Sequence, residues 1–206
     1  MTDDDHHHDH KEGHEHGDDH DHDHEHDGHH HDHDHHDHDA DTVAFAVLTV
    51  SSSRTVETDA SGDALVAGIE EAGHAVTVRE LVADDELILR ERFQVLLGND
   101  DVDAVVTTGG TGLTPDDVTV EALRPMFDRE IPGFGEQFRA RSVEDVGPHG
   151  MLTRATAGVA EGVPTFCLPG SEQAATFGVQ ELVVPVVGHV VGLATGRHGD
   201  HGGHDE

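Results

Sequence analysis

Thr107-Thr108-Gly109-Gly110-Thr111-Gly112-Leu113-Thr114-Pro115-Asp116-Asp117 is the stretch that decides how the chain is read. It follows the apolar run Val102-Asp103-Ala104-Val105-Val106 and precedes Val118 to Phe127, whose apolar spacing is helical. The pattern is strand, glycine turn, helix. With no side chains at Gly109, Gly110 and Gly112, the backbone can approach a ligand closely and take positive φ. Main-chain N–H groups ahead of a helix N-terminus form a cradle for phosphate or another anion. No lysine follows the last glycine as a Walker loop requires, and Pro115 stands where a dinucleotide fingerprint needs a small residue. A plainer reading stays open. Thr114-Pro115-Asp116-Asp117 also reads as N-cap, proline at the first helical position and an acid at the third.

Working outward, strands and helices alternate. Thr42 to Val50 is a continuous apolar run, as expected of a strand covered on both faces. Ser51-Ser52-Ser53-Arg54 and a polar loop to Asp59-Ala60-Ser61-Gly62 follow, then a helix from Ala64 to about Gly73. Ala75 to Val82 reads as a second strand. Asp84-Asp85-Glu86 opens a helix towards Leu97, with Leu87, Ile88, Phe93, Leu96 and Leu97 expected inward. Beyond the glycine turn, Pro132 to Arg139 reads as a turn and short helix, and residues 151–158 as another helix. Val163 to Leu168 is a strand whose Pro164 belongs near an edge or a strand end. It leads to Pro169-Gly170-Ser171, with Ser171 a candidate cap for a helix through Leu182; an apolar, buried helix follows from Val184 to Ala194. This alternation predicts an α/β fold, a three-layer α/β/α sandwich with a mostly parallel sheet. Ligands of such sheets bind outside the carboxyl ends of the strands, which singles out the loops 51–62, 82–86 and 107–117.

Composition bounds the rest. Of 206 residues, the first 41 hold 17 His, 17 Asp or Glu and one Lys, a composition expected to be disordered. The domain therefore spans 42–195, with a second His/Gly-rich tail at 196–206. Formal charge divides as −16 in the N-terminal tail and −17 in the remainder, which contains ten Arg and no Lys. Such a surface repels nucleic acid and anionic membranes and suits a high-salt cytoplasm such as that of a halophilic archaeon. One cysteine, Cys167, excludes an internal disulfide, and no run of about 18 apolar residues or secretory leader is evident, so the expected location is cytoplasmic. The closely spaced imidazoles of the N-terminal tail have affinity for nickel, zinc or copper, with a native metal-handling segment, a solvated acidic tail and a purification tag all open readings.

Taken together, these loops resemble those of the MoaB/Mog family of molybdenum-cofactor biosynthesis proteins. The motifs are Leu48-Thr49-Val50-Ser51 with Ser61-Gly62, Thr107 to Gly112, Asp117-Val118-Thr119, Pro132-Gly133-Phe134-Gly135-Glu136 and Leu168-Pro169-Gly170-Ser171. Leu113-Thr114 and Phe127-Asp128-Arg129-Glu130 lean towards the MoaB branch. The resemblance implies a homotrimer or homohexamer that binds molybdopterin and, in active members, transfers AMP from ATP to its terminal phosphate with magnesium. It implies catalytic and magnesium-holding roles for Asp84 and Asp117. Phosphate and pterin contacts fall to Thr108, Gly109, Gly110, Thr111, Gly112, Arg154, Pro169, Gly170 and Ser171, and nucleotide contacts to Ser51, Ser61 and Gly62. A downstream metal-insertion protein is an implied partner. Ser52, Ala83 and Thr153 depart from the commoner family residues. A non-catalytic pterin-binding scaffold and a metal buffer acting through the His-rich tail are the alternatives.

Overall fold

The computed structural model describes residues 39–196. The expectations for the His-rich tail through residue 38, and for the C-terminal tail from residue 197, lie outside these residues.

Six strands form one sheet in the order β2-β1-β3-β6-β5-β4. They are β1 (Ala44–Val50), β2 (Ala75–Val82), β3 (Ala104–Thr108), β4 (Arg129–Glu130), β5 (Thr156–Ala160) and β6 (Val163–Leu168). β1 runs parallel to β2 and β3, and β3 parallel to β6, whereas β5 is antiparallel to β6 and β4 to β5. The sheet is thus mostly parallel with an antiparallel margin.

Alternation along β1 explains its continuous apolar run. Phe45 and Val47 face one helical layer, while Ala46, Leu48 and Val50 face the other. The first layer contains α1 (Ala60–Glu71), α4 (Pro132–Val146), α5 (Glu172–Gly178) and α6 (Val184–Ala194); the second contains α2 (Glu86–Leu97) and α3 (Thr119–Leu123). Pro164 sits at a strand end, since the ladder between β3 and β6 begins one residue later at Thr165. Cys167 is fully buried, and burial pushes its thiol up to about 12.

The structure corrects several sequence expectations. Residues 151–158 are not a helix. A 3-10 segment (Gly147–Leu152) ends there, and Thr156 opens β5, which returns into β6 through Glu161-Gly162. Both turn residues have positive φ, 49° and 83°, the backbone required by a tight two-residue hairpin. α1 starts at Ala60 rather than Ala64, because the Asp59 carboxylate caps it by accepting from Gly62 N at 2.9 Å. In α2, Leu89 is buried, whereas Leu87 and Ile88 are exposed. α3 stops at Leu123 and tightens into a 3-10 turn at Arg124–Met126, where Pro125 has no N–H for an α-helical bond.

The two C-terminal helices also prove to be one. Glu172–Ala194 is a continuous 23-residue helix, widened into a π turn at Val179–Val183 just before Pro185. By length and composition it is apolar enough to cross a membrane. In the fold it is a layer of the domain: Ala175, Val179, Val183, Val187 and Val191 recur every four residues and are buried in the core under the sheet. Its opposite side includes exposed Val186 and Leu193, so α6 is only half buried.

Candidate functional site at the carboxyl ends of the strands

β1 lies between β2 and β3, so the chain leaves β1 towards one side of the sheet and reaches β3 on the other. A crevice opens where these directions diverge, beyond the carboxyl ends of β1 and β3. A cleft of about 520 Å³ occupies this position. Its walls are Ser51, Ser53 and Arg54 after β1, Gly109 to Leu113 and Asp117 after β3, and Pro169 and Gly170 after β6.

Glycine is required in the turn by backbone and space together. Gly109 and Gly110 have φ of 103° and 66°. A Cβ on Gly109 would lie 2.3 Å from Val50 O, and one on Gly110 would lie 2.2 Å from Thr119 Oγ1. Buried Thr119 fixes the turn: its hydroxyl donates to Gly109 O at 2.8 Å and its N–H to Gly110 O at 3.0 Å. Gly109 N donates to Leu168 O at 3.0 Å and Thr108 Oγ1 to Pro169 O at 2.9 Å, joining the turn to the loop after β6. Thr111 is buried, with its hydroxyl 3.5 Å from that of Thr153.

Asp117 closes the far side of the turn. Its carboxylate accepts from Thr114 N at 2.8 Å and Thr114 Oγ1 at 2.7 Å, while its own N–H donates to Thr114 O. These are the contacts of a closed turn, and helix α3 begins only at Thr119. Partial burial works against the charge of Asp117. The bonds from Thr114 and the Gly112 main chain, with the Arg154 cation nearby, outweigh it and hold the carboxyl below its ordinary range.

Arg154 lies beneath the turn. It donates to Gly112 O at 2.7 Å and Asp117 O at 2.8 Å, and pairs with Glu121, whose carboxyl this bond lowers. Its own N–H donates to Thr111 O. Asp84 is not among the cleft-lining residues. Its carboxylate accepts from Ser52 N at 2.6 Å, between Ser51 and Ser53 of the cleft wall, and its N–H donates to Ser52 Oγ at 3.0 Å.

Ser61 and Gly62 lie behind the wall, in the first turn of α1, where both donate to Asp59. Asp59 is 2 % exposed and also accepts from Thr49 Oγ1 at 2.6 Å and Arg79 at 3.4 Å. Burial opposes its charge, but these four donors hold its carboxyl below the ordinary range. A carboxyl depressed in the folded state stabilises the fold above its unfolded pKa of about 3.9, a contribution lost as pH falls through the folded value. Urea unfolding from pH 7 down to pH 3 is therefore expected to show declining stability below about pH 4. Asp59→Asn is expected to flatten that decline; parallel curves would remove Asp59 as its source.

A second cavity, of about 240 Å³, adjoins the cleft through shared Thr153 and Pro169. Phe138 and Phe177 form its apolar side, their rings edge to face at 5.4 Å. Ser142, Asp145, His149, Ser171 and Gln173 supply polar groups. Ser171 also caps α5 through Ala174 N.

Of the residues singled out in the sequence, Ser51, Gly109, Gly110, Thr111, Gly112, Asp117, Pro169 and Gly170 share the cleft. Ser171 faces the adjoining cavity; Ser61, Gly62, Thr108 and Arg154 are hydrogen-bonded supports of the cleft wall, and Asp84 is bonded to Ser52 outside the lining. Sequence reasoning missed Arg54, Asp59 and Thr119 as components of the site. A signal for Arg54 was present: it is the one basic residue in the loops 51–62, 82–86 and 107–117.

Fold and site together define a doubly wound α/β domain with a glycine-turn cleft at its switch point. The family described as "Probable molybdopterin binding domain" matches residues 46–189. Molybdenum cofactor biosynthesis protein B of Bacillus subtilis (strain 168) is 42% identical over 146 residues, covering 70% of this chain and 86% of that relative. The Escherichia coli (strain K12) protein of the same name is 42% identical over 140 residues, covering 68% of this chain and 82% of its own length. Among solved structures, the tungsten cofactor synthesizing protein MoaB from Pyrococcus furiosus superposes with a TM-score of 0.64 at 36% identity, covering 75% of this chain and 98% of that one. The chain belongs to the MoaB/Mog family of molybdenum- and tungsten-cofactor biosynthesis proteins.

Proposed function

We propose that the protein transfers AMP from ATP to the terminal phosphate of molybdopterin and releases pyrophosphate. The observation that carries this reading is the juxtaposition of a cleft lined by the glycine turn and a ring-sized cavity. The glycine turn and Asp117 face one cleft, and the cavity walled by Phe138 and Phe177 opens beside it across Thr153 and Pro169. A flat heteroaromatic ring suits the second space, and phosphate groups suit the first. Ser171, on the cavity wall, and Thr111, in the turn, are the contacts we assign to the pterin.

In the reaction, a phosphate oxygen of the pterin attacks the α-phosphorus of ATP, and the bond to the departing pyrophosphate breaks. Two anions must be held together in line, so positioning and charge compensation are the chemistry this site has to supply. The N–H groups of Gly109 and Gly112 are committed to Leu168 O and the Asp117 carboxylate, so those of Gly110 and Thr111 are the donors we assign to one phosphate. Arg154, Thr119 and Thr108 keep the turn in shape through their bonds to its main chain and to Pro169.

Among the described residues, no three His, Cys, Asp or Glu side chains form a protein-only metal cage. Magnesium is commonly held by one or two carboxylates together with substrate phosphates and water. Asp117, within the cleft, is the carboxylate we assign to it first; Asp84, bonded to Ser52 outside the cleft lining, would join it only if the Ser52 loop brought it inward. Magnesium would supply charge neutralisation between the two phosphate groups.

Binding of the pterin without transfer is a second reading. It is favoured by the commitment of Asp117 to Thr114 and by the position of Asp84 outside the cleft lining. Incubation of the full chain with molybdopterin and Mg-ATP separates the two. Adenylated pterin and stoichiometric pyrophosphate are expected, and retention of unmodified pterin on the protein would overturn transfer in favour of binding.

A further inference from the structure

We propose that Arg54 is the phosphoryl-recognition residue of the cleft, selecting phosphorylated over unphosphorylated ligands. This rests on the reading of the cleft as a phosphate site.

Arg54 is the basic member of the described cleft lining, in a chain of formal charge −33. Its position is set by two neutral acceptors. Nη1 donates to Ser61 Oγ at 2.7 Å and Nη2 to Gly170 O at 2.7 Å. A guanidinium has five N–H donors, so three remain beyond these two bonds. Its side chain is one-third exposed.

The surrounding electrostatics separate Arg54 from six other arginines, none of which lines the cleft. Arg79, Arg90, Arg92, Arg124, Arg141 and Arg154 each have a carboxylate oxygen within 3.4 Å. For Arg54 the neighbouring carboxylate is Asp59, at 3.8 Å and already accepting from Thr49, Ser61, Gly62 and Arg79. The Arg54 charge is therefore the least compensated of these, and it faces the cleft.

The glycine turn lies within reach of it. A Cβ on Gly170 would stand 3.1 Å from Gly109 Cα and 3.8 Å from Arg54 Nη2. The missing side chain at Gly170 thus leaves the guanidinium beside the glycine turn. A phosphate there meets N–H donors on one side and a planar fork on the other, the pairing for which arginine is suited. In a domain this acidic, removing that cation leaves the approach of a dianion opposed by the field of the whole protein.

The phosphate could belong to a nucleotide or to a phosphorylated pterin, so two probe pairs are used: AMP with adenosine, and neopterin monophosphate with neopterin. Calorimetric titration of the full chain at one fixed salt concentration is expected to show wild-type preference for the phosphorylated member of at least one pair. Arg54→Gln is expected to weaken that member's binding by about 10–100-fold and leave the unphosphorylated partner within about threefold; the affected pair identifies the source of the phosphate. Arg54→Lys, which keeps the charge and loses the fork, is expected to fall between. It carries the test alone if the glutamine variant does not fold: a lysine variant with undiminished preference overturns the assignment. Equal weakening of both members by Arg54→Gln would make Arg54 a strut between loops and overturn it, as would no weakening of either. Wild-type protein that binds both members equally would instead defeat the phosphate reading of the cleft, and this inference with it.

Discussion

Gly109→Ala is expected to be the most damaging single substitution in the site. Two penalties act together. The residue has φ of 103°, outside the regions open to an L side chain, and the new methyl would lie 2.3 Å from Val50 O. The obstacle is main chain in the last residue of β1, so no rotamer change relieves it. Relief by shifting the turn would stretch the bonds from Thr119 Oγ1 to Gly109 O and from Gly109 N to Leu168 O. Backbone strain of about 1–2 kcal/mol and overpacking of about 1–3 kcal/mol sum to roughly 3 kcal/mol. For a domain of this size that lowers Tm by about 6–12 °C. AMP binding is expected to be lost with it. A melting temperature within about 2 °C of wild type, with AMP binding intact, would show that the turn is not held as described.

Asp117→Asn is expected to separate binding from chemistry. The amide oxygen can still accept from Thr114 N and Oγ1, so the turn closes and the fold is kept. What disappears is one negative charge, held ionised in the wild type by those same bonds and by Arg154. Under the proposed reaction, AMP transfer falls by about 10²–10³-fold, the scale for removing one electrostatic contribution from a preorganised site, while pterin affinity changes little. Pyrophosphate release at the wild-type rate would take Asp117 out of the mechanism and leave it as the lock of the turn.

These two expectations rest on features of unequal legibility. The glycine turn could be read from composition alone, because three glycines between an apolar run and a helical pattern have few other uses. Its conformation could not: the φ values and the distance to Val50 depend on β1 and β3 being neighbours. Asp59 was read as part of a polar loop, since a buried acid is not distinguishable from an exposed one until Thr49, Arg79 and the α1 N-terminus surround it. Likewise Arg154 carries the same charge wherever it lies. Only the fold turns it towards the main chain of Gly112 and Asp117 instead of into the cleft.

The misread segment at 151–158 has a related cause. Thr156-Ala157-Gly158-Val159-Ala160 is short, small and apolar, and by itself favours neither helix nor strand decisively. Pairing with β6 makes it a strand, and Gly158 is required because a Cβ there would meet the Phe127 ring at 2.3 Å. The α/β class, the parallel strand runs and the glycine turn were determined by the sequence itself, because hydrophobic periodicity and turn chemistry are local properties. Which charges face the cleft, which only brace its walls, and how the ring-sized cavity adjoins the glycine turn were decided by tertiary structure. Those relations join residues far apart in the chain, and hydrogen-bond partnership and burial exist only once the layers have packed.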